Sequence, residues 1–288
     1  MTAPTVDTRN LQRPLPSEID VFGLTDCGRV RQTNADHFLV ASLHRVMKIH
    51  STSLGDGKLP PLESDVRGYF ILVADGVGGL STAGDGSALA IQTIAQYILF
   101  SSEDAASRNP AREKELVAQL RKSVMRGHKV LRTLSDEHPV GGTTTTLTML
   151  TVVWPRAYVV HAGDSRCYRV RRGELHRLTT DQTMAEVMVQ AGAMSEEAAA
   201  ASRLSHVLWS ALGSTEVAPE LYVTDCERTD VILLCTDGLT RHVTEDEIRQ
   251  RLGANESAET TARSLVDLAL ERGGVDNVTV VVGRIRNP

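Results

Sequence analysis

Short runs of apolar residues mark several β-strands along the chain, and two of these runs end at an Asp-Gly pair. Residues 71–74 lead into Asp75, and a longer apolar run leads into Asp237. A buried strand fixes the position of a carboxylate at its end, and the glycine that follows lets the backbone turn sharply. Asp164 and Asp276 stand next to two other predicted strands. The pattern therefore predicts that carboxylates from distant parts of the chain gather at strand ends.

The first two predicted strands, at 19–24 and 38–43, flank a mostly polar loop. This loop contains Arg31, Asn34 and Asp36. A polar loop between two strands is either the tip of a hairpin or part of a site. The sequence leaves both interpretations open.

The remaining elements come as pairs of helices between groups of strands. Apolar residues recur at helical spacing within 88–99, and a second helix is expected to start at Asn109 and Pro110 and to run to about residue 137. Strand patterns fill 141–178 as an antiparallel meander and return at 220–224, 231–236 and 278–285, with helices at 244–250 and 257–272. This order predicts an α+β fold of packed antiparallel sheets rather than a doubly wound parallel sheet.

Three segments fall outside this regular pattern. Residues 1–18 are polar and proline-rich and are expected to form a flexible leader to a single domain at 19–288. Residues 44–67 are expected to form an exposed insertion. Residues 181–205 are helical and alanine-rich with a weak apolar face, which favours a surface flap that could serve as a lid.

The composition argues against a nucleic-acid-binding protein, a zinc protein and a membrane protein. The 288 residues are 41% hydrophobic, with a net charge of −5 and a pI near 6.0, which argues against nucleic acid as the main partner. The four cysteines, at 27, 167, 226 and 235, have no zinc-binding spacing and are expected to be reduced core thiols. We expect a cytoplasmic protein with no membrane segment, because no signal peptide opens the chain and no apolar run reaches the ~18 residues that span a bilayer.

A cluster of carboxylates is chemically reasonable mainly when a divalent cation neutralises it. Oxygen ligands favour Mg²⁺ or Mn²⁺ over Zn²⁺, and paired ions of this kind catalyse the hydrolysis of phosphate esters. Arg31 is the candidate that would hold the phosphate through two parallel hydrogen bonds. In the alternative interpretation, Asp75 and Asp237 are turn residues and the other two acids are caps.

Eight motifs follow one another along the chain: RQTNAD, VADGVGG, GGTTTT, HAGDSRCYRV, LTTDQT, SALGS, LLCTDGLT and DNVTVVV. This ordered set resembles the protein phosphatase 2C family of metal-dependent Ser/Thr protein phosphatases, in its compact bacterial form. The resemblance extends over about residues 19–286. It implies a fold of two packed antiparallel sheets flanked by pairs of helices, with two Mn²⁺ or Mg²⁺ ions at one end of the sandwich.

The resemblance assigns a role to each matching residue. Asp75 is expected to bridge both metals, and the Gly76 carbonyl to bind the second metal. Asp237 and Asp276 complete the ligand set of the first metal. Asp164 is the ligand of a third, weaker metal, and Arg31 holds the substrate phosphate. Asn277 orients Asp276 and does not bind metal, and Asp36 supports the centre from behind the ligands. The implied reaction is hydrolysis of phosphoserine or phosphothreonine in proteins, without a phosphoenzyme.

Four positions depart from the family pattern. Ala35 replaces an acid or amide next to the second metal, and Val77 stands where many eukaryotic members carry a histidine proposed as a general acid. Where the family usually has Asp-His-Ser, this chain has Asp-Gln-Thr at residues 181–183. Arg241 stands four residues after Asp237, where an acid often helps to hold the third metal, so we expect weak binding of a third ion.

Three functions follow from these observations. The leading prediction is an active, monomeric phosphatase that reverses the action of a Ser/Thr kinase in signal transduction. Ala35 and Arg241 favour a second possibility, a catalytically weak pseudophosphatase that binds or senses. The third is an esterase for small phosphorylated metabolites. Hydrolysis of an aryl phosphate with Mn²⁺ distinguishes the first from the second, and phosphopeptide preference distinguishes the first from the third.

Overall fold

The computed structural model describes residues 12–44, 68–77, 83–101, 110–137 and 143–286. Most of the predicted leader and nearly all of the predicted insertion at 44–67 therefore lie outside the described residues, as do Gly78, Gly79 and the expected helix cap Asn109. Within the predicted leader, a single turn of 3₁₀ helix occupies Pro16–Glu18, directly before the first strand.

The described strands form two antiparallel sheets. The first sheet has the order β1-β11-β10-β7-β8, with bounds Ile19–Asp26, Val278–Ile285, Val231–Cys235, Arg166–Arg171 and Glu174–Arg177. The second sheet has the order β2-β3-β5-β6-β9, with the short β4 paired to the end of β3; the bounds of β2, β3, β4, β5, β6 and β9 are Asp36–Leu43, Gly68–Val77, Thr144–Thr145, Leu147–Val153, Arg156–Ala162 and Glu220–Asp225.

The helices cover the two outer faces of the sheets. Helices α1 (Ala83–Ser101) and α2 (Pro110–Glu137) pack on the second sheet, and α6 (Glu245–Gly253) and α7 (Ala258–Glu271) pack on the first. The single-turn α5 (Asp237–Thr240) follows β10 directly. The sequence expectation of an α+β sandwich with helix pairs outside two sheets is confirmed. No helix among the described residues has the length and apolar character needed to cross a bilayer.

Three apolar layers hold the sandwich together. The inner layer lies between the sheets and includes Ile71, Val73 and Leu234, while the outer layers join each sheet to its helix pair. Alternate residues of one strand therefore enter different layers, because side chains along a strand point to opposite faces. Burial on both faces explains why the central strands are almost continuously apolar.

The strand pairing decides between the two interpretations of one loop and corrects one expectation about a longer segment. The loop between β1 and β2 is not a hairpin tip, because β1 pairs with β11 and β2 pairs with β3 in the other sheet. The segment 141–178 is not one meander either, since β6 pairs with β5 and β9 whereas β7 pairs with β10 and β8. Both connections pass from one sheet to the other, which brings their loops to the same end of the sandwich.

The predicted flap contains two short helices, α3 (Met184–Gln190) and α4 (Glu196–Ala200), and a 3₁₀ turn at Arg203–His206. The chain breaks between the two helices at Gly192, whose φ of +69° lies in the left-handed region that favours glycine. The hydroxyls of Thr183 and Ser195 cap the two helices.

His161 lies fully buried in the middle of the second sheet, where its Nε2 donates to the carbonyl of Thr180 at 3.0 Å and its Nδ1 contacts the hydroxyl of Thr148 at 2.9 Å. Burial lowers the pKa of His161 to about 4, although Asp181 acts in the opposite direction. The histidine is therefore neutral in the folded protein at pH 5, whereas in the unfolded chain it takes up a proton below about pH 6.5.

We predict that the folded protein loses stability through His161 as the pH falls from about 6.5 towards 4, because only the unfolded chain gains the proton. At pH 5 this loss is about 2 kcal/mol. Urea unfolding in chelator at pH 7 and pH 5 measures it, and His161→Gln should reduce the difference by this amount. His176→Gln, at an exposed position of β8, is the matched control. An equal pH dependence in all three proteins contradicts the prediction.

Candidate metal centre

Asp75 lies near the end of β3, which continues through Gly76 to Val77 rather than stopping at the acid. The threonine-rich segment of the next strands holds its backbone. Thr145 donates its hydroxyl to the Asp75 carbonyl at 2.8 Å, and the amide and hydroxyl of Thr146 contact the carbonyl and the amide of Asp75 at 2.9 and 3.0 Å. These hydrogen bonds fix the backbone at Asp75. The position of its carboxylate is therefore set by the strand.

Asp237 is the first residue of α5, immediately after the buried end of β10. Gly238 packs so closely on the loop before β11 that a Cβ atom there would lie 1.9 Å from the carbonyl oxygen of Asn277. Only glycine allows this approach. Glycine is therefore required at 238 by packing and not by a left-handed backbone, and the close contact joins Asp237 to the segment that carries Asp276.

Asn277 holds the loop between β1 and β2 against Asp276. Its side-chain oxygen accepts from the Ala35 amide at 2.8 Å, and its side-chain nitrogen donates to the carbonyls of Cys27 and Thr33 at 2.9 and 3.0 Å. Only its backbone amide contacts the Asp276 carboxylate, at 3.0 Å. The Asn277 side chain thus orients the loop that carries Arg31 rather than Asp276 itself.

Asp36 is buried behind the cluster, with 2% of its surface exposed. Its Oδ2 accepts hydroxyl hydrogen bonds from Thr236 and Thr279, each at 2.7 Å, and these threonines precede Asp237 and follow Asp276 by one and three residues. Asp36 thereby joins β2 of one sheet to β10 and β11 of the other. Burial raises the pKa of Asp36 to about 7 against the opposing effect of the two hydroxyls.

Asp164 lies in the connection from β6 to β7 and is buried. Gln182 supports this connection, because its side chain accepts from the Gly163 amide at 3.1 Å and donates to the carbonyl of Ala218 at 3.0 Å. Asp181, next to it, pairs with Arg166 and Arg177, each at 2.7 Å. The Asp-Gln-Thr segment therefore has three structural roles. Asp181 forms ion pairs, Gln182 supports the loop that carries Asp164, and Thr183 caps α3.

These elements bring the four predicted acids Asp75, Asp164, Asp237 and Asp276 to one cleft with an open volume of about 1110 Å³. The cleft lies at the end of the sandwich where β3 and β10 finish. Withdrawal from water, followed by the charges of neighbouring carboxylates, raises the pKa of Asp75 and of Asp164 well above the usual range. Withdrawal from water also raises the pKa of Asp237, in spite of Arg241. The cluster is electrostatically unfavourable without cations.

Two arginines contact these acids. Arg31 pairs with Asp276 through two hydrogen bonds, from Nε to Oδ1 and from Nη2 to Oδ2, both at 2.8 Å. Arg241 reaches inward to Asp237 through Nη2 and to Asp276 Oδ2 through Nη1 at 3.0 Å. Arg241 therefore contacts the acids assigned to the first metal, whereas it acts on Asp164, assigned to the third metal, only through its charge.

The other departures also line the cleft. Ala35 offers no side-chain ligand, and its carbonyl accepts from the Gly76 amide at 3.2 Å. Val77 is 39% exposed at the edge of the cleft and carries no proton to donate. His206, on the 3₁₀ turn of the flap, also lines the cleft and acts on Asp237 through its charge. Local sequence carries no signal for His206, because only the return of the flap over the strand ends brings it here.

The chemistry of the donors suits a divalent cation, although no three His, Cys, Asp or Glu side chains among the described residues already lie close enough together to hold one. Asp36 and Asp237 each have a buried Oδ1 atom without a hydrogen-bond partner among the described residues. A buried carboxylate oxygen that lacks a donor is costly unless a cation binds it. The surrounding ligands are oxygen atoms, which suit Mg²⁺ and Mn²⁺ better than Zn²⁺. The cysteines are absent from this cleft and are free thiols, with Cys167 and Cys235 buried as expected.

Comparison with curated proteins identifies bacterial relatives. The chain is 34% identical over 217 residues to the serine/threonine protein phosphatase PstP of Mycobacterium tuberculosis, an alignment that covers 75% of this chain. The alignment spans 40% of the length of that relative. The chain is also 27% identical over 265 residues to the protein phosphatase PhpP of Streptococcus pneumoniae, covering 92% of this chain and 96% of that one.

Solved structures give the same result. The crystal structure of M. tuberculosis PstP superposes with a TM-score of 0.74 at 29% identity, covering 93% of this chain and 99% of the other. The catalytic domain of PstP in complex with two manganese ions superposes with a TM-score of 0.72, also at 29% identity and with the same coverage. A Streptococcus agalactiae serine/threonine phosphatase, at 24% identity and a TM-score of 0.77, covers 93% of this chain and 100% of its own and shows the shared fold.

The family model for protein phosphatase 2C matches residues 62–270, which is more than half of the chain and contains Asp75, Asp164 and Asp237. This match agrees with the sandwich of two antiparallel sheets and with the identity to PstP. The chain belongs to the protein phosphatase 2C family.

Proposed function

We propose that the protein is a metal-dependent phosphatase that removes phosphate from phosphoserine and phosphothreonine in proteins. The observation that carries the proposal is the convergence of Asp75, Asp164, Asp237 and Asp276 on one cleft, where three of the four carboxyls have a raised pKa and Asp237 keeps an unpartnered oxygen. Family membership and the manganese complex of PstP support the same conclusion.

Two Mn²⁺ or Mg²⁺ ions are the cofactors of this proposal. Asp75 and the Gly76 carbonyl would hold the second ion, Asp75, Asp237 and Asp276 would hold the first, and Asp164 would bind a third ion weakly. When bound, such ions activate water at neutral pH and stabilise the oxygens of a phosphoryl displacement. Asp36 maintains the separation of the two sheets at this point through its hydrogen bonds to the threonines beside Asp237 and Asp276.

Arg31 is proposed to bind the substrate phosphate. Its side chain is 53% exposed at the mouth of the cleft, and its bidentate contact with Asp276 has the geometry that a phosphate also accepts. Transfer from Asp276 to the phosphate needs only a rotation of this exposed side chain. Since Val77 cannot donate a proton, the serine or threonine leaving group takes its proton from solvent water.

A second cleft, next to the first, favours a protein substrate over a small metabolite. It runs beneath α3 and α4 of the flap, has an open volume of about 1910 Å³, and shares Asp164, His206, Asp237 and Arg241 with the metal cleft. A peptide on either side of the phosphorylated residue could lie along it, whereas a small phosphate ester leaves it empty. The partners in this proposal are phosphorylated proteins, including a Ser/Thr kinase, and the protein acts as a monomer.

A catalytically weak binding module is the second candidate. Two observations favour it. The Arg241 guanidinium contacts two acids assigned to the first metal, and Ala35 provides no side-chain ligand. This candidate predicts a folded protein that binds phosphopeptides without hydrolysing them in Mn²⁺.

We predict that hydrolysis of an aryl phosphate requires added Mn²⁺ or Mg²⁺ and that Asp237→Asn abolishes it while the fold survives. The amide keeps the shape of the side chain but removes the charge that binds the ion. Rates with metal and with chelator measure the requirement, and circular dichroism checks the fold. Full activity of the variant, or full activity in chelator, contradicts the metal assignment.

We predict that Asp75→Asn stabilises the metal-free protein by roughly 1 kcal/mol or more at pH 8. A carboxyl with a raised folded-state pKa costs stability as the pH rises through that pKa, and the amide removes this cost. Urea unfolding in chelator should show a higher midpoint for the variant, and saturating Mn²⁺ should stabilise only the wild type. A variant that is less stable than wild type in chelator shows that Asp75 carries no electrostatic strain.

We predict that Arg31→Ala lowers kcat/KM by roughly 10- to 100-fold through the loss of a charge-assisted bidentate contact. Arg31→Lys should recover only part of this loss, since an ammonium group cannot form two parallel hydrogen bonds. Steady-state kinetics on a phosphopeptide measure both variants. An unchanged kcat/KM in the alanine variant means that Arg31 serves only its ion pair with Asp276.

A further inference from the structure

Arg241 is held near the first-metal ligands by the local backbone. Asp237 begins α5, and Arg241 follows it by four residues, with its amide donating to the Asp237 carbonyl at 2.9 Å. Residues four apart in a helical turn lie on the same face, so the two side chains are neighbours in any rotamer that points along the turn. Their ion pair is thus a consequence of sequence spacing and not of a distant contact.

The guanidinium takes the position between two carboxylates that a cation would take. It donates to Asp237 from Nη2 and to Asp276 Oδ2 from Nη1 at 3.0 Å. These are the two acids that complete the first metal in the proposed function. An oxygen lone pair that accepts a guanidinium hydrogen bond is not free to bind a metal ion. Asp237 keeps its Oδ1 unpartnered among the described residues, but the guanidinium charge beside it repels a second cation, so the two cations compete for these acids.

The surroundings give Arg241 a second position. Its side chain is 28% exposed and lines both the metal cleft and the neighbouring cleft beneath the flap. That neighbouring cleft is lined by Glu186 and Glu196, and also by Arg166 and Arg177, which both pair with Asp181. A guanidinium displaced from Asp237 and Asp276 can therefore move into a cleft that already carries negative charge, without entering the apolar core.

We propose that Arg241 is a built-in counter-cation that neutralises Asp237 and Asp276 in the metal-free protein and is displaced by the first divalent ion. Loading of the metal is then an exchange of one cation for another. Because the ion must displace Arg241, the first ion binds less tightly. The ion pairs of Arg241 stabilise the protein when no metal is bound. This inference rests on the metal centre of the proposed function and adds a device that sets the metal concentration at which the centre fills.

The test compares wild type with Arg241→Met, which keeps a long flexible side chain and removes the charge. Arg132→Met is the matched control, because Arg132 also forms an ion pair with an acid four residues away, Asp136, on the exposed face of α2. Each protein is stripped with chelator and titrated with MnCl₂ by calorimetry, and its melting temperature is measured in chelator and in saturating Mn²⁺.

We expect Arg241→Met to bind the first Mn²⁺ about 10-fold or more tightly than wild type, the factor that corresponds to one charge-assisted hydrogen bond. Its melting temperature should fall below that of wild type in chelator and reach or exceed it in Mn²⁺. A group that is only structural would lower both temperatures alike. Arg241→Lys, which keeps the charge but cannot bridge both carboxylates, should bind with intermediate affinity, and it provides the comparison if the methionine variant does not fold without metal.

The outcomes separate the two claims. Equal Mn²⁺ affinity in wild type and the Arg241 variants, or weaker binding in the variants, overturns the inference while the metal centre stands. The absence of Mn²⁺ binding in all of the proteins overturns both the inference and the proposed function. Tighter binding in the Arg241 variants together with unchanged binding in Arg132→Met supports the inference.

Discussion

Repulsion among buried carboxylates is the constraint on which the rest of this structure depends. Asp75, Asp164 and Asp237 are withdrawn from water close to one another, and Asp36 lies behind them with one oxygen unpartnered. The pKa of each of these carboxyls is raised by its withdrawal from water, so ionising them at neutral pH opposes folding unless cations neutralise the charge. A protein keeps such an unfavourable cluster where it serves a function, and the apolar layers of the sandwich supply the stability that offsets it.

The two-sheet architecture is what makes this cluster rigid. Asp75 is carried by the second sheet, and Asp237 and Asp276 are carried by the end of β10 and the start of β11 in the first. Asp36 links the sheets through the hydroxyls of Thr236 and Thr279, while Asn277 ties the Arg31 loop to the same point. Because each of these segments is an extension of a buried strand, the acids have little freedom to move apart. The rigidity keeps the acids together at this end of the sandwich when no ion neutralises their charge.

Local patterns in the sequence predicted the parts of the site that depend on local structure. A buried strand followed by Asp-Gly identified Asp75 and Asp237, and helical periodicity with caps located α2, α6 and α7. Which sheet each strand joins was not predictable in this way, because Asp36 meets Thr236 across 200 residues and such pairings leave no periodic signal. For the same reason the loop after β1 remained ambiguous, and His206 was not recognised. The position of Arg241 was visible as a spacing of four, but its choice of Asp276 as a second partner depends on the approach of β11.

The central claim is that the acids at the end of the sandwich form a centre for two divalent ions. Crystals grown with MnCl₂ and measured at the manganese absorption edge test this claim most directly, since anomalous scattering locates the ions independently of activity. The account predicts two manganese peaks that share Asp75, with Asp237 and Asp276 on one of them and the Gly76 carbonyl on the other. Absence of manganese from these residues, with Arg31 and Arg241 still paired to Asp276 at a saturating concentration of the ion, would contradict it.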